Sequence, residues 1–145
     1  MIKFLKIFVL VIFTINLSNI TYGKENFYSQ GVELFKAEKY EEAKFLFERS
    51  IVLNPKHSES YLFLAKIYNE IKDQKKEEKN LETTLLIDPT NEEAILMLMK
   101  IGIEKTNYSK VKELSERFTK ICKNLCEKNY QILKDLENLE PKNES

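Results

Sequence analysis

The sequence repeats itself at a fixed offset, and this repetition constrains the fold more than any other feature. The segment Leu53-Asn54-Pro55 recurs 34 residues later as Ile87-Asp88-Pro89. The same offset relates aromatic, apolar and small positions, namely Phe27 with Tyr61 and Ile95, and Gly31 with Ala65 and Met99. An offset shared by such different residue types predicts stacked units, each of which buries its apolar side against the next.

Within the first unit, apolar and small residues recur at the spacing of two amphipathic helices. They are Phe27, Gly31, Leu34 and Phe35 in the first helix, and Ala43, Phe47, Ser50 and Ile51 in the second. Residues 38–40 make the turn, and Pro55 ends the second helix because proline cannot continue one. Ser58 and Asn91 stand where a cap for the next helix is expected. With only 3 Gly and 3 Pro in 145 residues, helices are favoured over a many-stranded fold.

These residues resemble the tetratricopeptide repeat family, whose pattern runs W-x2-L-G-x2-Y, then A-x3-F, then Pro. The first copy fills the pattern with Phe27, Gly31, Leu34, Ala43, Phe47 and Pro55. The second has Tyr61, Leu64, Ala65, Tyr68, Leu81 and Pro89, with Glu77 in place of the small alanine. In the third copy Ile95 and Leu98 fit, whereas Met99, Val111, Ser115 and Lys123 depart from the pattern.

The resemblance implies an all-α, right-handed solenoid of helical hairpins. Its three repeats are predicted at residues 24–57, 58–91 and 92–125, the third being degenerate. A capping helix is predicted over residues 126–140, with an apolar stripe that seals the last pair. The stripe consists of Tyr130, Leu133, Leu136 and Leu139. Residues 141–145 are expected to be a disordered polar tail.

Residues 1–23 are predicted to be a secretory signal peptide. They contain no acidic residue, and Lys3 and Lys6 precede an almost wholly apolar stretch over residues 7–17. That stretch is shorter than the roughly 20 residues that span a bilayer as a helix. Cleavage after Gly23 and export to the periplasm is the leading interpretation. The alternative is an uncleaved inner-membrane anchor over residues 4–22, and we expect no other membrane contact.

Composition and motifs argue against several classes of function. With 23 basic and 23 acidic residues, the chain lacks the basic excess typical of nucleic-acid binding. His57 is the only histidine and lies in the predicted turn between two repeats, where we expect no rigid frame to position a nucleophile or carboxylate against it. No Gly-rich phosphate loop, paired metal-ligand motif or nucleophile elbow occurs. We therefore expect no enzyme activity, no metal and no cofactor.

Cys122 and Cys126 bracket the predicted turn between the third repeat and the capping helix. In an oxidising compartment they are candidates for a disulfide, which would fix the corner where the third proline is missing. A loop this small gives limited entropic stabilisation, on the order of 2 kcal/mol. The alternatives are two partly buried free thiols, or a thiol redox protein that uses them.

The resemblance also implies a concave groove, lined by the first helix of each pair, that holds a peptide or a helix. Nine residues of this sequence take the groove positions: Tyr28, Val32, Phe35, Leu62, Lys66, Asn69, Leu96, Lys100 and Ile103. Some family members grip a terminal carboxylate with a cluster of Lys, Asn and Arg. Tyr28, Val32 and Phe63 stand at corresponding positions here, so that clamp is not expected.

The expected function is a non-catalytic adaptor or scaffold of the cell envelope, with a protein or peptide as partner. Its binding surface would be an apolar row of Tyr28, Leu62 and Leu96, flanked by Glu and Lys. The alternative is a holdase or assembly factor for envelope proteins, which would suppress the aggregation of unrelated clients. The apolar row could also be ordinary exposed area, or be filled by the chain's own tail.

Overall fold

The computed structural model describes residues 23–139, with side chains from residue 27 onward. This range contains seven α helices and no strand, so the all-α prediction is confirmed for it. The helices are α1 (Gly23–Lys36), α2 (Tyr40–Leu53), α3 (Ser58–Glu70), α4 (Gln74–Ile87), α5 (Glu92–Glu104), α6 (Tyr108–Ile121) and α7 (Cys126–Leu139). The predicted signal peptide, apart from its last residue, and the predicted tail lie outside the described residues.

The helices pair in chain order, because each turn between two partners is short. α1 packs on α2, α3 on α4, and α5 on α6, while α7 packs against both α6 and α5. The chain divides into two compact units, of which the first ends at Pro55 and the second begins at Lys56. The first unit therefore contains the α1–α2 pair, and the second contains α3 to α7.

Each unit has its own hydrophobic core. In the first, Ala43 and Phe47 of α2 are fully buried, and the Phe47 ring packs against Gly31 and the Tyr28 ring. In the second, aliphatic side chains and one aromatic ring form a continuous core. Its members are Leu62, Ala65, Leu81, Leu85, Ala94, Ile95, Leu96, Leu98, Met99, Ile101, Val111, Leu114, Phe118, Ile132 and Leu136.

The turn inside each helix pair is the same backbone motif. Glu38, Lys72 and Thr106, at the same place in each period, have positive φ values of 59°, 62° and 53°. In each turn the next residue donates its N–H to the carbonyl five positions back, at 2.8 to 2.9 Å: Lys39 to Leu34, Asp73 to Tyr68, and Asn107 to Gly102. This is the Schellman ending of a helix. The 34-residue period is therefore a period of the backbone as well as of the sequence.

The helix starts are less uniform than these turns. Three helices have a capping side chain whose oxygen accepts a hydrogen bond from the backbone three residues on: Asp73, Asn91 and Asn107. Lys39 and His57 occupy the N-cap positions of α2 and α3 without such a bond. The predicted cap at Asn91 is confirmed, and the predicted cap at Ser58 is wrong. Ser58 is already the first residue of α3, because His57 before it holds the extended backbone of an N-cap.

The second helix of each pair ends in one of two ways. Asn54 and Asp88 leave helical geometry before a proline, and each keeps its N–H on the carbonyl four residues back. In the third pair Lys123 replaces the proline, and Cys122 takes the place of Asn54 and Asp88. Cys122 forms a disulfide with Cys126, the first residue of α7, with their Cα atoms 5.4 Å apart. A covalent bond thus fixes the corner that proline fixes elsewhere.

The third pair achieves close helix contact with a different set of residues. Val111 of α6 stands where the first pair has Ala43, and Gly102 of α5 faces it. A Cβ atom on Gly102 would lie 2.7 Å from Val111 Cγ2, closer than packed carbon atoms approach. Because Gly102 has no side chain, the larger side chain of Val111 fits between the two helices.

Glu77 is the departure from the repeat pattern in the second pair. It stands where the first pair has Ala43, and it is buried, with 4% of its surface exposed. Its carboxylate accepts a hydrogen bond of 3.1 Å from Asn69 Nδ2. Burial raises the pKa of Glu77 above its ordinary value, and the bond from Asn69 only partly offsets this effect.

Candidate functional site

A cleft of about 460 Å³ lies between α5 and α7 in the second unit. Its lining combines aliphatic side chains and Met97 with charged residues of both signs. The lining residues are Glu93, Leu96, Met97 and Lys100 from α5, Leu125 from the loop before α7, and Lys128, Gln131, Ile132 and Asp135 from α7. A space of this size and composition suits a few side chains of a bound segment.

Helical spacing explains why these residues meet. On α5, Glu93, Met97 and Lys100 are separated by four and three residues, so they share one face. On α7, Lys128 and Ile132 are related in the same way. Ile132 is 8% exposed and belongs to the hydrophobic core, which holds this face of α7 beside α5.

An ion pair sets the charge balance of the cleft. Lys66 Nζ of α3 lies 2.8 Å from the Glu93 carboxylate and 4.6 Å from the centre of the Phe63 ring. Lys100 and Lys128 form no ion pair with another residue in the range 23–139. Two lysine charges therefore face the cleft without a carboxylate partner from the described chain.

A second cleft of about 380 Å³ shares Glu93 and Leu125 with the first. It adds residues from α3, from the start of α5, and from the loops before α5 and α7. These are Leu62, Thr90, Asn91, Glu92 and Asn124. The two clefts therefore meet at Leu125, which lines both of them.

The Glu92 carboxylate organises the loop between α6 and α7. It accepts hydrogen bonds from three consecutive backbone N–H groups, those of Lys123 (2.7 Å), Asn124 (3.1 Å) and Leu125 (2.8 Å). Desolvation acts to raise the pKa of Glu92, but the three amide donors outweigh it, and the pKa lies below its ordinary value. The start of α5 is thereby tied to the residues that lead into α7.

Solved structures with a similar backbone include domains described as tetratricopeptide repeats. The type III secretion chaperone SycD of Yersinia enterocolitica, in complex with a peptide of the translocator YopD, matches with a TM-score of 0.71 and 15% identity, over 79% of this chain and 92% of that one. The chain has the tetratricopeptide-repeat fold. The prediction of tetratricopeptide helix pairs is confirmed.

Two further structures with the tetratricopeptide fold match to a similar degree. The first tetratricopeptide domain of Spaghetti (RPAP3), bound to the HSP90 peptide SRMEEVD, has a TM-score of 0.69 and 17% identity, over 80% of this chain and 92% of that one. The Sgt2 domain of Aspergillus fumigatus has a TM-score of 0.68 and 16% identity, over 86% and 89% of the two chains. No family model matches the sequence, and neither does any curated protein.

Among the predicted groove residues of the second unit, Lys100 and Leu96 line the main cleft and Leu62 lines the second. The expectation that Leu62 and Leu96 form part of an exposed apolar row is wrong. They are 6% and 5% exposed and belong to the hydrophobic core, so they form the floor of the clefts. They cannot serve as protruding contacts for a partner.

The other predicted residues of this unit are engaged within the tetratricopeptide fold. Lys66 is paired with Glu93, and the Asn69 amide donates to Glu77. Ile103 is partly buried and packs against the hydrophobic core. Their role in binding stays a prediction.

In the first unit, the predicted groove residues Tyr28, Val32 and Phe35 are all half-buried on α1. The Tyr28 ring packs on Phe47, with ring centres 5.9 Å apart, and Phe35 packs on Tyr40 at 5.6 Å. The Tyr28 and Phe35 rings are therefore each partly buried by packing within the α1–α2 pair. Their contribution to binding also stays a prediction.

Helix α7 contributes residues that the sequence interpretation missed. Lys128, Gln131, Ile132 and Asp135 line the cleft, whereas the sequence suggested only a sealing helix. The predicted apolar stripe is partly wrong, because Tyr130 and Leu139 are 64% and 51% exposed. The buried stripe of α7 consists of Asn129, Ile132 and Leu136. The spacing of Lys128, Ile132 and Asp135 on one helix face was the available signal.

The only histidine of the sequence, His57, lies directly before α3, with its Nδ1 3.9 Å from Glu59 Oε2. His57 Nδ1 lies 2.9 Å from Ser60 Oγ, one turn further along the start of α3. Residues 23–139 contain no group of three or more side chains able to hold a metal ion. Within the same range, no helix has the length and apolar character needed to cross a bilayer.

Proposed function

We propose that this chain is a non-catalytic protein-interaction module that holds a partner segment in the cleft between α5 and α7. The observation that carries the proposal is the composition of that cleft. Leu96, Met97 and Ile132 give it apolar lining, and Lys100 and Lys128 line the same cleft. Apolar side chains would supply binding energy, and the charges would select among segments.

The charges favour an acidic partner. Glu93 is neutralised by Lys66 at 2.8 Å, whereas Lys100 and Lys128 have no ion pair with a described residue. Asp135 is the remaining acidic residue of the lining. The cleft therefore suits a segment in which apolar side chains alternate with carboxylates.

The structural neighbours support this kind of function. SycD and RPAP3 have this fold, and each was solved with a peptide bound, from YopD and from HSP90 respectively. SycD is a secretion chaperone, which also supports the second candidate, a holdase or assembly factor. The two candidates differ in selectivity, so a binding experiment can separate them.

The first experiment measures fluorescence anisotropy with a short labelled peptide of alternating leucine and glutamate. We expect it to bind the oxidised protein, and to bind the double variant Lys100→Glu, Lys128→Glu at least about tenfold more weakly. The matched control is Lys79→Glu, Lys134→Glu, which makes the same charge change at exposed residues outside the cleft. Equal binding by both double variants, or no binding to the unaltered protein, contradicts the proposal.

A second measurement separates the adaptor from the holdase. A peptide of alternating leucine and lysine should bind an adaptor of this charge pattern weakly, whereas a holdase should bind both peptides. A holdase should also slow the aggregation of a chemically denatured, unrelated protein at a stoichiometric ratio. Suppression that persists in the Lys100→Glu, Lys128→Glu variant would favour the holdase.

We also propose that the module acts in the bacterial cell envelope after export to the periplasm. The order of charged, apolar and small residues over residues 1–23 supports this location. Mass spectrometry of the protein from a periplasmic fraction should give an N-terminus at Lys24. Retention of residues 1–23 in the membrane fraction would instead support the anchor over residues 4–22.

A further inference from the structure

The disulfide closes a small ring at the corner between α6 and α7. Cys122 is the C-cap of α6 and Cys126 is the first residue of α7, so residues 123–125 lie inside the ring. Their three backbone N–H groups converge on one acceptor, the Glu92 carboxylate. Such convergence requires the three peptide units to keep a fixed conformation.

Leu125 links this ring to the cleft. It lies inside the ring, packs against the hydrophobic core and lines both clefts. Beyond the ring, the buried apolar residues of α7 are Ile132 and Leu136, and Leu133 packs partly buried against the same core. The position of α7 beside α5 therefore depends on the ring as well as on a small apolar contact.

We propose that the Cys122–Cys126 disulfide is a redox-sensitive latch that holds α7 against α5 and so keeps the binding cleft formed. The binding role of the cleft rests on the proposed function; the latch itself does not. Reduction would be carried out by a dithiol, either a small molecule or a protein. The dithiol gives two electrons and two protons to the two sulfur atoms and becomes a disulfide itself.

Opening of the ring has a direct physical consequence. The five residues from Cys122 to Cys126 regain conformational freedom. Holding the three N–H groups on the Glu92 carboxylate then costs conformational entropy, which the closed ring had already removed. The Glu92 carboxylate then exchanges amide donors for water. Leu125 leaves the wall of the cleft, and α7 separates more often from α5.

The test that needs no ligand is hydrogen exchange followed by mass spectrometry. Thiol counting first establishes the starting states: no free thiol without reductant and two after dithiothreitol. Amides of α7, including those of Ile132 and Leu136, should then exchange about tenfold faster in the reduced protein. Amides of α3 and α4 in the same sample should change little. Unchanged exchange in α7 overturns the latch.

A matched variant controls for the reductant itself. Cys122→Ser, Cys126→Ser should exchange like the reduced protein in both conditions, and dithiothreitol should have no effect on it. A response of this variant to dithiothreitol would overturn the assignment of the effect to the disulfide. Glu92→Ala in the oxidised protein should also loosen α7, and its effect should shrink in the double-serine background.

The leucine–glutamate peptide then connects the latch to binding. Reduction should raise the dissociation constant about tenfold, because only the fraction of molecules with α7 in place binds. Equal affinity in both states, together with faster exchange in α7, would overturn the coupling of the latch to the cleft. Absence of binding in the oxidised state would refute the proposed function. The hydrogen-exchange measurement on α7 would then decide by itself whether the disulfide holds α7 in place.

Discussion

Val111 Cγ2 occupies the space that a side chain on Gly102 would need, since a Cβ atom there would lie only 2.7 Å away. This contact predicts that the effect of Gly102→Ala on the free energy of unfolding changes sign when Val111 is also replaced by alanine. Gly102→Ala alone should lower the free energy of unfolding by about 1 kcal/mol, because overpacking exceeds the gain in helix propensity. With Val111→Ala present, the same change should raise it by about 1 kcal/mol. Urea unfolding of the four proteins measures this; a cost from Gly102→Ala that is equal in both backgrounds would contradict the packing argument.

A better N-cap should stabilise α2. Lys39 stands at the position that Asp73 and Asn107 occupy before α4 and α6, but it has no capping side chain. Lys39→Asn should therefore raise stability by about 1 kcal/mol, since its side chain can accept from the backbone three residues on. Asn is preferred to Asp because Glu41 and Glu42 already occupy the first turn. Amide exchange in α2 is the measurement, and Lys39→Ala is the control that should give no comparable gain.

The buried carboxylate of Glu77 should make stability depend on pH. Its folded pKa lies above its ordinary value, so its contribution to stability is fully present at low pH and is lost as the pH rises through the folded pKa. Glu104 and Glu78 also act to raise this pKa by charge repulsion, and Lys72 acts to lower it. Glu77→Gln keeps an acceptor for Asn69 and removes the charge.

Glu77→Gln should therefore raise the melting temperature at pH 7 by about 4 °C, for a gain of about 1 kcal/mol. At pH 4 the gain should be smaller, because the native carboxyl group is then already largely neutral. Calorimetry at the two pH values makes the comparison. A gain that is the same at both would show that the charge is not the cause.

Asn129 offers a further site for stabilisation. Its Nδ2 donates to Thr119 Oγ1 at 3.1 Å, but its buried Oδ1 accepts no hydrogen bond from any residue that the structure describes. Asn129→Leu has a similar volume and removes the unsatisfied acceptor, so stability should rise by about 1 kcal/mol. Asn129→Asp should lower it, because it places a charge at the same buried position. Chemical unfolding of both variants is the measurement, and destabilisation by Asn129→Leu would contradict this account.

The helix pairs could be predicted from the sequence because the period is carried by local features. Apolar spacing gave the helices, and Pro55 and Pro89 marked two of their ends. The cap at Asn91 followed from its position before an apolar run. The cap at Ser58 failed because His57, a residue with no strong capping preference, took the N-cap position.

The cleft was beyond sequence reasoning because neighbouring elements decide which part of a helix face stays exposed. Leu62 and Leu96 lie on the predicted face, yet packing of the surrounding helices covers them. Glu92 binds backbone groups 31 to 33 residues away, and no local pattern indicates such a contact. The absence of a side chain at Gly102 compensates for the larger side chain at Val111, and this is likewise visible only when the two helices are placed side by side.

The bends at Glu38, Lys72 and Thr106 have a consequence for divergence among repeats. Because main-chain groups alone make each Schellman turn, three unrelated side chains stand at its tip without changing its geometry. These exposed tips are free to vary in sequence while the length of the repeat stays constant. Longer loops can therefore be inserted, or labels attached, at these tips with the least disturbance to the helices on either side.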